Sequence, residues 1–126
     1  MDIRLQQFNG KPFLNLESFR KNGASMKTPV WFTQAGDVIY VRTVANSGKV
    51  KRIRNNGNIN IVPCEANGSP TGQWVTAQAV EVSEQATAVL VAQWLEEKYG
   101  AERVRQFAAA TAAQGRAYTI IKIVLV

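Results

Sequence analysis

The 126-residue sequence contains no histidine and only one cysteine, Cys64. The first absence removes histidine general bases, histidine-containing triads and histidine metal ligands together. The second leaves no partner for an internal disulfide and no cysteine zinc site, in keeping with a reducing cytosol. No apolar run approaches the roughly 18–20 residues of a membrane span, and Met1 to Gly10 has no signal-peptide core. The expectation is a soluble, cytoplasmic protein without a membrane partner. Acids are missing locally: none lies between Asp37 and Glu65, although Arg42, Lys49, Lys51, Arg52 and Arg54 all fall there.

What is present suits one compact domain spanning residues 1–126. Apolar content of 46% and charged content of 19% are ordinary for a globular chain. A net charge of +6 implies attraction to phosphates, so nucleic acid has to be weighed. Along the chain, Asp2 to Phe8 suggests a short helix, stopped by Asn9-Gly10. Phe13 to Arg20 alternates as a strand, with Leu14, Leu16 and Ser18 on one face and Phe13, Asn15 and Glu17 on the other. Met26 to Thr33 is expected as a second strand, and its Pro29 must sit at an edge or a bulge, where a missing N–H does no harm. Val38 to Thr43 forms a third, Asn58 to Cys64 a fourth, Gln73 to Val82 a fifth and Tyr118 to Val126 the last. Between the last two, Ser83 caps a helix from Glu84 to Tyr99 that Gly100 ends. A second helix, Ala101 to Gln114, carries a stripe of Val104, Phe107, Ala108 and Thr111. Trp94, Val104 and Phe107 are expected in the core, and Cys64 as a small buried hydrophobe. Short strands with turns between them and helices inserted late indicate a small antiparallel barrel of α+β type.

The stretch from Arg42 to Asn55 organises the rest. A strand delivers the chain through Asn46-Ser47-Gly48 into a helix, with Ser47 as the expected N-cap. Val50 and Ile53 share one face of that helix; Lys49 and Arg52 share another. Free amides, the positive end of the helix and two cations together make an anion site. A solvated basic helix is the competing explanation.

Thr28-Pro29-Val30-Trp31-Phe32, then Gly36-Asp37, then Tyr40-Val41-Arg42-Thr43, resembles the pyridoxamine 5′-phosphate oxidase-like split β-barrel superfamily. Ser47 to Arg54, Val62-Pro63-Cys64, Gly68 and Trp74 continue the resemblance, which is strongest towards the branch of coenzyme F-420-dependent enzymes. It implies a mainly β, six-stranded split antiparallel barrel with a few peripheral helices. It also implies a homodimer that holds flavin-type cofactors between its subunits and reduces or oxidises a small-molecule substrate. The family's phosphate anchor maps to Lys49 and Arg52, with Thr43 and Ser47 alongside, and Arg42 is a further cofactor-binding candidate. Its ring site maps to Thr28, Pro29, Val30 and Trp31, with simple core packing the competing explanation for Trp31. Trp74 is either a cover from the partner or, in the competing explanation, ordinary interface packing. The pattern includes no acid or base residue. Relatives usually carry proline where this chain has Gly57, so proline is expected to be tolerated there.

Hydride transfer to or from a flavin is the cofactor's own chemistry, so a chain without histidine can support it. Coenzyme F-420 and FMN both present a ribityl phosphate to Lys49 and Arg52. The oligoglutamyl tail of the deazaflavin would find further cations in Lys51, Arg54 and Arg42. Two other classes compete: a basic barrel that stacks single-stranded nucleic acid on Trp31, Tyr40 and Trp74, and a protein that stores or senses cofactor or heme without turnover, heme being weakened by the lack of histidine. Against the first, the cations cluster in one helix turn instead of tracking a groove.

Overall fold

A computed structural model describes residues 2–126. Seven strands form a single antiparallel sheet: β1 (Phe13–Phe19), β2 (Ser25–Val30), β3 (Thr33–Ala35), β4 (Val38–Val44), β5 (Asn58–Cys64), β6 (Val75–Val82) and β7 (Tyr118–Leu125). Their spatial order is β2-β1-β5-β6-β7-β4-β3. The sheet curls into a half-barrel whose two ends, β2 and β3, do not pair with each other. Three helices follow the pattern expected from the sequence: α1 (Gly48–Asn55), α2 (Gln85–Tyr99) and α3 (Ala101–Ala113), and Ile3–Phe8 winds as a 3₁₀ helix.

The strand expected over Met26 to Thr33 is two strands, which raises the count from six to seven. β2 pairs with β1 at one end of the sheet, and β3 pairs with β4 at the other. Trp31 and Phe32 carry the chain across the split between them. Phe32 is 1% exposed and meets Phe8 edge-on at 6.0 Å. Trp31 stacks on Tyr99 at 4.3 Å. Leaving the sheet costs the crossing peptides their ladder bonds, and side chains at the end of α2 replace them. The Phe32 N–H donates to Tyr99 Oη at 3.1 Å, while Lys98 Nζ donates to the Phe32 carbonyl at 3.0 Å. Tyr99 Oη in turn donates to the Pro12 carbonyl at 2.7 Å.

Cross-strand register sets the inner face. Leu16 opposes Ile61, Ile61 opposes Val75, Ala79 opposes Ile123, and Ile123 opposes Ile39. With Leu5, Phe8 and Phe32 these residues make one continuous core, which α1 plugs with Val50 (0% exposed) and Ile53 (3%). Full burial of each such side chain is worth about 1.5–3 kcal/mol. On the outer face, α2 and α3 pack Val91, Leu95 and Val104 against Ile120, with Trp31 and Tyr40 beside them. Cys64 is buried on β5, as its apolar surroundings in the sequence imply.

Four local expectations are corrected. Ser47 is the N-cap residue of α1 by position, but its hydroxyl makes no capping bond. Trp74 precedes β6 and lies outside the strand expected to contain it. Glu84, not Ser83, is the N-cap residue of α2. Phe107, expected in the core, is 53% exposed, because α3 covers the sheet chiefly through Val104. Gly57 departs further from expectation. A Cβ there would lie 2.7 Å from the Ala79 carbonyl oxygen, and the Gly57 carbonyl accepts from the Ala79 N–H at 2.8 Å. The turn therefore needs a residue without a side chain, and proline is excluded by the same contact. No helix among the described residues is long and apolar enough to cross a membrane.

Candidate functional site

Two features stand out, one on each face of the sheet. The first is a cation cluster at the start of α1. Register continues the inner face of the sheet past its apolar rows into a polar end formed by Ser18 on β1, Thr43 on β4, Glu81 on β6 and Thr119 on β7. The helix reaches three of these strands, each with a different residue, and Thr119 Oγ1 donates to Glu81 at 2.8 Å. Lys49 Nζ donates to Thr43 Oγ1 at 3.4 Å, and Arg52 Nε donates to Ser18 Oγ at 2.7 Å. Arg54 forms a bidentate ion pair with Glu81, at 2.7 and 3.1 Å.

The three cations are electrostatically unlike. Arg54 is neutralised by Glu81. Lys49 and Arg52 meet only hydroxyls, and neither takes part in any of the three ion pairs among the described residues. Burial lowers the Lys49 ammonium's pKa, and the neighbouring Arg52 charge lowers it further. Burial likewise lowers that of Arg52, with Arg20 adding to the effect. The Arg52 guanidinium folds back over the first turn, so a Cβ on Gly48 would stand 2.9 Å from Arg52 Nη1. Ser47 Oγ is buried there without a hydrogen-bond partner. A buried hydroxyl left unpaired and two mutually repelling cations both cost free energy. An anion with several acceptor oxygens relieves both. This donor set fits the phosphate of a flavin-type cofactor.

The second feature is a groove of about 460 Å³ on the outer face, within the range of small-ligand sites. Phe13, Pro29, Val30 and Trp31 supply one wall from β1, β2 and the crossing; Arg42, Tyr118, Leu95, Arg103 and Phe107 supply the other. Pro29 sits on the edge strand β2, as its missing N–H requires. Trp31 is held by Tyr99 on one side and by Phe107 at 5.0 Å, nearly perpendicular. Arg42 lies over the Tyr118 ring at 4.2 Å.

Of the residues singled out from the sequence, the groove joins Pro29, Val30, Trp31 and Arg42. The α1 cluster joins Thr43, Ser47, Lys49 and Arg52. The two are neighbours along β4, where Arg42 and Thr43 are consecutive and point to opposite faces. Thr28 lines neither: it lies on β2 opposite Leu16, next to the groove residue Pro29. Trp74 belongs to neither group. It is 38% exposed and lies against Lys27 Nζ at 5.5 Å. Ser18, Arg103, Phe107 and Tyr118 were not anticipated. The one available signal was Ser18, a hydroxyl on an otherwise apolar strand face.

No protein-family model matches the sequence, and no curated protein matches it. Solved structures do match its shape. A protein from Clostridium acetobutylicum related to general stress protein 26, of the pyridoxinephosphate oxidase family, superposes with a TM-score of 0.71 and 11% identity, covering 99% of this chain and 86% of that one. A heme storage protein from Vibrio cholerae gives 0.70 at 13% identity, covering 99% and 88%. An F420 reductase gives 0.62 at 13%, covering 97% and 92%. The chain therefore has the split β-barrel fold of pyridoxamine 5′-phosphate oxidase-like proteins.

Proposed function

We propose that this chain is an oxidoreductase that binds a flavin-type cofactor, coenzyme F-420 or FMN, and passes a hydride between it and a small organic substrate. The observation that carries the reading is the unneutralised Lys49–Arg52 pair, with the orphaned Ser47 hydroxyl, one strand residue away from an aromatic groove. In this reading Lys49, Arg52 and Ser47 donate to the ribityl phosphate, and Thr43 orients the lysine. Thr28, Pro29, Val30 and Trp31 offer the cofactor ring a flat edge. The cofactor supplies the hydride chemistry when bound, and the protein contributes binding, orientation and exclusion of water.

Similar folds serve an F420 reductase and a heme storage protein. Storage without turnover is thus the second reading; for heme, the lack of histidine takes away the commonest axial ligand. A nucleic-acid platform is disfavoured by the packing of Trp31 on Tyr99 and of Tyr40 against Trp94, 5.8 Å away. The site is further proposed to be completed by a second copy of the chain in a cytoplasmic homodimer, with Trp74 reaching across as a cover. Fluorescence titration with both cofactors tests the reading. Saturable binding of either supports it, and binding of neither overturns it.

A further inference from the structure

The wall of the groove opposite the cofactor edge has a chemistry of its own. Nine residues line the groove; two are arginines, none is acidic, and the rest are apolar apart from the Tyr118 hydroxyl and the Trp31 indole N–H. Neither Arg42 nor Arg103 belongs to an ion pair among the described residues. The acid that acts on Arg42 is Glu96, which is already engaged by Arg105 at 3.1 Å. The two guanidinium groups come from different elements, Arg42 from β4 and Arg103 from α3. Phe107 follows one helical turn after Arg103, and Tyr118 lies under Arg42 at 4.2 Å. Two planar cations beside two aromatic rings, in an otherwise apolar groove, match a flat ligand with a carboxylate at its edge.

We propose that Arg42 and Arg103 form a carboxylate clamp, and that the substrate class is a planar aromatic or conjugated carboxylate. This rests on the groove being the substrate-facing side of the proposed cofactor site. It assigns Arg42 to the substrate in preference to the phosphate anchor, because the anchor residues Thr43, Ser47, Lys49 and Arg52 gather on the opposite face of β4. Burial and the Tyr118 ring fix Arg42 in place, whereas Arg103 is exposed on α3 and free to close over a bound anion.

The test is calorimetric titration with 1-naphthoate and its neutral analogue 1-naphthamide, alongside a separate FMN titration. The wild-type protein is expected to bind naphthoate at least tenfold more tightly than naphthamide. Arg103→Gln and Arg42→Gln should each abolish that preference, and Lys49→Ala should leave it intact. Arg103 is a surface residue, so its variant retains the fold even if replacing Arg42 disturbs β4. Equal binding of the two probes, or a preference that survives both arginine variants, would overturn the proposal. So would a loss of FMN affinity in Arg103→Gln as large as in Lys49→Ala, since Arg103 would then serve the cofactor. Failure of the cofactor reading has a different signature: FMN affinity unchanged in Lys49→Ala, whatever naphthoate does.

Discussion

At the scale of single residues, Gly57 and Ser47 matter for what surrounds them. Any side chain at Gly57 meets the Ala79 carbonyl oxygen at 2.7 Å, and the contact is backbone, so it cannot swing aside. Gly57→Ala and Gly57→Pro should each destabilise the protein by about 1–3 kcal/mol, the usual range for forced overpacking. Chemical denaturation measures this, and an unchanged midpoint would mean that β5 and β6 separate freely at that point. Ser47 behaves in the opposite way. A working N-cap hydroxyl is worth about 0.5–2 kcal/mol, but this one makes no capping bond. Ser47→Ala should cost the cofactor-free protein no more than about 0.5 kcal/mol, and should stabilise it to the extent that it removes an unpaired buried hydroxyl. A larger loss in the thermal midpoint would show that the hydroxyl caps α1 after all.

At the scale of elements, hydrophobic period made most of the strands and all three helices legible, because burial on one face imposes a repeat on the sequence. The break at Trp31-Phe32 was not legible: the run from Met26 to Thr33 looks continuous, and only tertiary pairing sends its two parts to opposite edges. Phe107 sits at core spacing yet lines a groove, since periodicity cannot distinguish a core from a cavity. The cations of α1 were visible in the sequence, but their partners were not. Glu81, which neutralises Arg54 and leaves Lys49 and Arg52 unpaired, is 27 residues away from Arg54 in the chain.

The crossing itself titrates. Burial pulls the Lys98 ammonium down from 10.5 to about 8 and pushes the Tyr99 phenol up from 10.0 to about 12. Between about pH 8 and 10.5 the unfolded chain holds a proton on Lys98 that the folded chain has released, so stability rises with pH. Above pH 10 the folded chain keeps the Tyr99 proton that the unfolded chain loses, so stability falls. The thermal midpoint should therefore pass through a maximum near pH 10, with a shallow rising limb because Lys98 as a residue is exposed. Lys98→Met should remove that rise and spare the fall. A rising limb that persists in the variant would assign it to another group.

At the scale of the whole molecule, the half-barrel leaves its split open and its outer face partly apolar, with Val80 56% and Val124 42% exposed. That exposed apolar surface is a candidate contact for a second copy of the chain. Sedimentation at micromolar concentration should give a dimer of the 13.9 kDa chain. A monomer that binds cofactor with full affinity would contradict the shared site.

The central claim is that Lys49 and Arg52 hold a phosphate that the chain itself does not supply. The most direct measurement is the FMN dissociation constant of Lys49→Ala, Arg52→Ala, Lys51→Ala and Arg54→Ala, at low and high salt. A hydrogen bond to a charged partner is worth about 1.5–3 kcal/mol, so the first two variants should bind roughly tenfold to a hundredfold more weakly. Lys51, exposed to solvent, and Arg54, occupied by Glu81, should cost little, and the contrast should persist in salt because the anchor is partly buried. Four similar small losses that fade as salt rises would contradict the account and leave α1 a solvated basic helix.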